Sequence, residues 1–397
     1  MSEAPGLPGP RSALTPLKNV FDQSGPANRQ LTLALAALFA IIVLSILPNF
    51  LLWSFGVDLE VPLRAAARWS GGGQPYLASS FSVSTGPGVP FLYPPWLLPI
   101  LTPIAALPRD AVLAVWLVFG LVVAVWTCRR LSMPWYAIPF VLAWPPFTEG
   151  LVTGNVQLLQ FAAFVALFYL PGRSWSPQPR GVADGAEGQA TDRPQAADTH
   201  RAAVDRAASV RIDILDGLLA AGVGALKYTQ LLPLAWLLRP RFRAAIFGGV
   251  ALAVVIVAML PFTGIAVYRD WLDQLGRAAD PSWTGGGAPL SWVVGRPLAR
   301  AATVAAVAAC FFIRGRDAGA WVGIALIVAA PSVHGYGFLF LLPAFLTIRR
   351  DLGISLAVVI ATYNPYGAWA AIAVAAVTLA ASNRFPQLRV PTPKDAR

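Results

Sequence analysis

The chain has 397 residues, 56% of them hydrophobic and only 12% charged, with a net charge of +11. A soluble domain carries about 25% charged residues, so this composition excludes an ordinary water-soluble fold. Apolar runs recur at the length that crosses a bilayer as helix, the alternation of a β-barrel is absent, and most basic residues flank apolar runs, which points to membrane orientation and not to a nucleic-acid surface.

Residues 1–30 are polar, rich in Pro and Gly, and carry Arg11, Lys18 and Arg29; they read as a disordered cytoplasmic tail. The run 31–53 reads as an uncleaved first span that crosses outward. Residues 54–92 then form a long outer loop with a short amphipathic helix near 59–69, followed by irregular Gly/Pro-rich backbone. Segment 93–108, "YPPWLLPILTPIAALP", is short and broken by prolines. Were it to span, Arg129 and Arg130 at the end of the run 111–127 would face outward, so it reads as re-entrant or only partly inserted.

Further along, 135–147 reads as an outward span and 155–170 as its return. The polar segment 173–211 reads as a disordered cytoplasmic insertion. A hairpin, 212–226 out and 228–238 back, precedes "RPRFR"; 244–262 goes out and 263–290 forms a second outer loop. Segments 291–313, 318–331, 335–348, 352–362 and 366–381 alternate, ending in a basic tail, 382–397. The expected fold is therefore an all-α polytopic membrane protein with about 12 transmembrane helices. One membrane domain, 31–381, lies between two cytoplasmic tails in the cell membrane.

This topology gathers the unusual polar residues on the outer face: Asp58, Glu60, Arg64 and Arg68, then Glu149, Asn155 and Gln157, then Lys227 and His334. Ionisable groups at membrane depth are costly and mark pathways or sites. Each has a plainer reading. Asp58 could cap the helix 59–69, Glu60 could be a first-turn acid, Lys227 could snorkel from its hairpin, and His334 could serve its turn. Tyr93 in "YPPW", with Trp283 and Trp292, fits an interfacial belt as well as a substrate contact. His200 falls in the insertion. Cys128 and Cys310 read as buried thiols. There is no P-loop, no nucleotide-binding glycine fingerprint and no metal-ligand cluster, so neither cofactor nor metal is expected.

The ordered set "VDLEVPLRAAARWSGGGQPY", "FLYPPWLLPILTPIAALP", "GLVTGNVQLLQF", "GLLAAGVGALKYTQLLPLAWLL" and "APSVHGYGFLFLLPAFL" resembles glycosyltransferase family 87 of the GT-C superfamily (the domain-of-unknown-function 2029 type) over residues 31–381. The family includes polyprenyl-phosphate-mannose-dependent α-mannosyltransferases. The resemblance implies that the acid after the first span, Asp58, is the general base, and that Lys227 and His334 contact the donor phosphate. Glu60, Arg64, Tyr93, Asn155 and Gln157 are further candidates for substrate contact. Two departures stand out: Gly154-Asn155-Val156-Gln157 replaces the common G-Q-x-N, and His334 is followed by Gly335 and not by a second histidine.

The implied function is transfer of a hexose, mannose first, with arabinose and glucose left open. The sugar passes from a polyprenyl-phosphate donor to a glycolipid or glycan acceptor on the outer face. A hydroxyl attacking the anomeric carbon must lose a proton there, and the departing phosphate needs cationic donors. Attack opposite the leaving group inverts the anomeric centre. The rival class is a transporter or flippase for a lipid-linked substrate, which would also gather ionisable groups in a membrane cavity.

Overall fold

The computed structural model describes residues 55–82, 88–133, 138–170, 195–227, 230–278, 289–315, 317–330, 333–348 and part of 369–380. Every regular element among them is a helix. The expected first span 31–53, the span 352–362 and both tails lie outside the described residues.

Helix α1, Val57–Ser70, opens the described chain. It starts two residues before the expected 59–69, because Gly56 adopts a left-handed φ of 74° and donates its N–H to Val152 O at 2.8 Å. A Cβ on Gly56 would overlap Leu113. Asp58 and Glu60 lie in the first turn and Arg68 in the last, as the helix dipole favours. Helix α2, Leu97–Ala105, packs on α1. Its nine residues rise only ~14 Å, too little for a crossing of about 30 Å. Val61, Ala65 and Ala66 of α1 form a small core with Tyr76, Phe91 and Leu98.

Helix α3, Arg109–Arg130, is long and apolar enough to cross a membrane. The expected single span 135–147 is instead two short helices, α4 (Ile138–Leu142) and α5 (Pro145–Thr153). Pro145 and Pro146 break it: proline cannot continue a helix but suits the first turn of the next. Helix α6, Gln157–Tyr169, sits centrally against α3, α5 and α7 (Gln195–Ala225). Because α7 begins at Gln195, the last part of the segment expected to be disordered is helical. Its alanines (Ala196, Ala197, Ala202, Ala203, Ala207, Ala208) are strong helix formers, and they run straight into the apolar part of α7. The composition-based reading missed that continuity.

Helix α8, Leu232–Leu237, leads into α9, Phe242–Ala278. The backbones of α7 and α9 meet at Gly217 and Gly248, where a Cβ on either would overlap the other's backbone. This is the close approach that small residues permit between membrane helices. Nearby, Arg241 donates to the buried Asp216 at 2.6 Å. α9 is the second helix long and apolar enough to span, and almost none of its apolar window is buried against protein. Val250, Val254, Val257 and Phe262 are exposed. A soluble protein does not leave so large an apolar surface bare, so hydrocarbon is the fitting solvent.

α9 also corrects the second outer loop. At Gly264 (φ 75°, ψ 154°) the helix bends, then resumes to Ala278. Gly264 and Pro261 read in sequence as an end, but Val267, Trp271 and Gln274 recur at helical spacing beyond it. Trp271 Nε1 donates to Leu92 O at 3.1 Å and Gln274 Nε2 to Leu77 O at 3.1 Å. The C-terminal half of α9 thus completes a layer with α1 and α2.

The rest of the bundle is α10 (Ser291–Val294), α11 (Arg296–Cys310), α12 (Ala318–Ala329), a 3-10 helix Gly335–Leu341 and α13 (Leu342–Ile348). α3 and α9 are the two helices among the described residues that are long and apolar enough to cross a membrane. α6, α12 and Gly335–Leu346 are apolar but shorter. An aromatic spine ties them together. Phe161 meets Phe147 and Phe340 edge-on at 6.1 and 5.6 Å, Phe164 meets Phe340 at 5.2 Å, and Phe168 meets Trp236 at 4.8 Å.

Gly264 gives a test of the joined layer. Its backbone lies in a region essentially restricted to glycine, so Gly264→Ala is expected to cost on the order of 1–3 kcal/mol. The measurement is the thermal unfolding midpoint in nanodiscs. An unchanged midpoint would show that the bend is not a fixed part of the fold.

Candidate active site

Four chain segments meet where the α1–α2 layer touches the bundle: the start of α1, the turn from α5 to α6, the end of α7, and the start of the 3-10 helix. The α5–α6 turn is made by Gly154, left-handed at φ 77°, where a Cβ would come within 2.7 Å of Leu59 Cβ. That turn sets Thr153 and Asn155 beside α1. Thr153 Oγ1 donates to Asp58 Oδ2 at 2.7 Å, and Asn155 Nδ2 donates to the same oxygen at 2.9 Å. Asn155 Oδ1 accepts the backbone N–H of Gln157 at 2.8 Å, which fixes the amide with its NH2 toward Asp58.

Asp58 therefore does not cap α1. It lies inside the first turn, the helix has no side-chain cap, and the carboxylate reaches across to the bundle. Among the described residues no donor reaches its Oδ1.

Gln157 Oε1 accepts Lys227 Nζ at 3.1 Å. The ammonium also lies 4.8 Å from the centroid of the Tyr336 ring. His334 stacks on the same ring at 5.2 Å and 13°, and the Tyr336 hydroxyl is hydrogen-bonded to the Asn155 side chain. Among the described residues Lys227 has no carboxylate in ion-pair contact. It keeps donors to spare, since an ammonium has three. Tyr93 lies within electrostatic reach of Asp58, and its carbonyl accepts the Tyr76 hydroxyl at 2.7 Å.

Enclosure perturbs the charges. Burial pushes the Lys227 ammonium down to about 8, against the opposing pull of Asp58 and Glu149. Burial, then the charge of Asp58, pushes Glu149 up to about 8, with the backbone N–H of Tyr336 and Lys227 acting the other way. Burial, then Lys227, pushes His334 down to about 4, opposed by Asp58. Burial thus favours the neutral form of all three groups, and the charge of Asp58 opposes it at Lys227 and His334.

The structure brings together Asp58, Tyr93, Asn155, Gln157, Lys227 and His334. It does not bring Glu60 and Arg64 to them. Residues two apart on a helix do not share a face, and the Glu60 carboxylate is taken by Arg64 at 3.0 Å and by Arg109. Arg109 Nη2 also donates to Phe55 O at 3.1 Å, so this group braces α1 against the start of α3. Sequence reasoning missed Thr153 and Tyr336, and it left Glu149 without a role. Their only signal was adjacency: Thr153 and Tyr336 stand next to glycines beside the named residues, in "TGN" and "HGYG". A Cβ on Gly335 would overlap Glu149 Oε2, so a side chain there would displace the carboxyl.

Residues 91–186 match the model of glycosyltransferase family 87. The matched stretch holds Tyr93, Glu149, Thr153, Asn155 and Gln157, but not Asp58, Lys227 or His334. It covers less than half of the chain and supports a membrane glycosyltransferase that uses a sugar donor and an acceptor. Among curated proteins and among solved structures, none matches.

The Glu149 shift has a measurable sign. Its folded pKa is raised, so between about pH 4.5 and pH 8 the folded state binds a proton that the unfolded state does not, and stability falls as pH rises through that window. Glutamine cannot titrate. The midpoint of wild type minus that of Glu149→Gln is therefore expected to fall from about pH 5 to pH 8 and to level off above it. A difference that stays constant with pH would mean that Glu149 ionises normally in the fold.

Proposed function

We propose that this protein moves a hexose, mannose, from a polyprenyl-phosphate sugar to a hydroxyl of a glycolipid or glycan at the outer face of the cell membrane, with inversion at the anomeric carbon. The observation that carries the reading is one cluster in which Asp58 is held through Oδ2 alone and Lys227 has, among the described residues, no carboxylate in ion-pair contact. The choice of mannose and of the polyprenyl-phosphate donor rests on the family resemblance.

In this reading the acceptor hydroxyl gives its proton to Asp58 Oδ1 as its oxygen bonds to the anomeric carbon. Thr153 and Asn155 hold Oδ2, so the carboxylate stays oriented with its other oxygen free. The bond from the anomeric carbon to the phosphate oxygen breaks, and that oxygen keeps the electron pair. The phosphodiester carries one negative charge and the leaving monoester two. The added charge develops where Lys227 and His334 offer donors in a poorly solvated site, the situation in which such stabilisation is largest.

The test uses purified protein in nanodiscs with polyprenyl-phosphate mannose and a glycolipid acceptor. Asp58→Asn keeps size but cannot take the proton, so transfer is expected to drop by about 10²-fold or more. Binding of the lipid phosphate should be preserved. A flippase for the same lipid needs no general base, so near-normal turnover in Asp58→Asn would favour it and defeat the enzyme reading. Lys227→Ala removes a charge-assisted contact and is expected to weaken lipid-phosphate binding by about tenfold or more.

Orientation is checked separately. Cysteines placed at the exposed Ser70 and Arg314 should differ in intact cells, with Ser70→Cys alone labelled by an impermeant thiol reagent. Labelling of Arg314→Cys alone would place the site on the cytoplasmic face.

A further inference from the structure

Glu149 belongs to no step of the mechanism above, yet it is enclosed at the centre of the site. It lies on α5 four residues before Thr153. Residues four apart stand on the same face of a helix, one turn from each other. The two side chains reach in different directions. Thr153 donates to Asp58 on α1. Glu149 accepts the backbone N–H of Tyr336 at the start of the 3-10 helix.

The contact between Glu149 and that segment is close. Gly335 has an ordinary φ, so no backbone conformation requires glycine there. What requires it is space. A Cβ on Gly335 would overlap Glu149 Oε2 and lie 3.0 Å from the carboxyl carbon. On the next residue of α5, Gly150 lies against Tyr336, with 3.8 Å from an added Cβ to Tyr336 Cβ. The turn itself is closed by Gly337 N–H donating to His334 O at 2.8 Å. His334 and Lys227 are in turn arranged around the Tyr336 ring.

We propose that Glu149 is a positioning residue that docks the His334–Tyr336 segment onto α5, so that this one short helix fixes the phosphate-binding groups relative to Asp58. The inference rests on the function proposed above. The helix acts as a ruler between the two halves of the site: one turn of α5 separates the residue that orients the base from the residue that orients the phosphate contacts. The group that Tyr336 N–H needs is an acceptor oxygen of the right reach, which a glutamine also supplies.

The experiment measures binding of polyprenyl monophosphate and steady-state transfer by the full-length protein in nanodiscs at neutral pH. Glu149→Ala is expected to raise the donor KM and weaken polyprenyl-phosphate binding by about tenfold, with the acceptor KM unchanged. Glu149→Gln should recover most of that loss. Gly335→Ala should reproduce the loss, because its methyl group displaces the carboxyl. Added to Glu149→Ala it should cost nothing further, because the overlap is gone; contacting residues of this kind are non-additive.

A Glu149→Gln variant as impaired as Glu149→Ala would overturn the inference, since the carboxyl would then act by titrating. So would a harmless Gly335→Ala or a strictly additive double variant. Should Glu149→Ala not fold, Gly335→Ala with Glu149→Gln still decides. If wild type fails to bind polyprenyl phosphate, the proposed function falls. If wild type binds it and Glu149→Ala and Gly335→Ala bind it equally well, the function stands and the positioning role falls.

Discussion

Asp58 Oδ2 is the point through which the α1–α2 layer is joined to the helix bundle in register. Thr153 and Asn155 both donate to it across 95 and 97 residues of chain. Hydrogen bonds to an ionised acceptor are the strong kind, and leaving an enclosed carboxylate without them is costly. Other contacts follow from this one. Gly56 lies against Val152, Leu59 against Gly154, and Arg109 closes over Phe55 O beside Glu60. The backbone glycines are needed because the helix must come near enough for two short side chains to reach it.

The other half of the site is held by apolar packing. Lys227 is half-buried with one hydrogen bond and an aromatic face, an arrangement that costs stability relative to a paired or fully solvated ammonium. The aromatic spine below it is continuous from Phe147 through Phe161 and Phe340 to Phe164, Phe168 and Trp236. Phe340 belongs to the same 3-10 helix that begins with Gly335, so dense packing fixes the ends of the segment that carries His334. A rigid apolar support under a partly desolvated charge is how function and stability are traded against each other in such sites.

The sequence made the polar members of the site visible because they are islands in grease. Asp58, Asn155, Gln157, Lys227 and His334 stand out against apolar neighbours, and the structure gathers them. Glu60 stood out for the same reason, and its carboxylate turned out to bind arginines on another side of the helix. Charge is legible in a sequence; the face on which it lies depends on where the helix starts, and α1 starts at Val57. Thr153 and Tyr336 were not legible, because a threonine or a tyrosine at the end of an apolar run is ordinary. The helical class was plain from composition. The boundaries were less so: Pro145–Pro146 split one expected span, Gly264 hid the continuation of α9, and Ala-rich helix was read as disorder before Arg211.

The bend at Gly264 has one more consequence, for which changes the gene can tolerate. From Phe242 to Thr263 the helix rises roughly 33 Å, close to the thickness of the bilayer's hydrocarbon. Val250, Val254, Val257 and Phe262 are exposed there, so exchange of one of these for another apolar residue is expected to pass almost unnoticed, unlike a change at the buried Ala244, Ala245 or Gly248. Insertion or deletion of a single codon is a different matter. It would shift everything beyond the bend by about 1.5 Å and turn it by about 100°. Trp271 and Gln274 would swing away from Leu92 and Leu77, and the layer carrying Asp58 would lose its fixed height above the membrane. In this stretch the length of the helix constrains the fold more than the identity of its exposed apolar residues does.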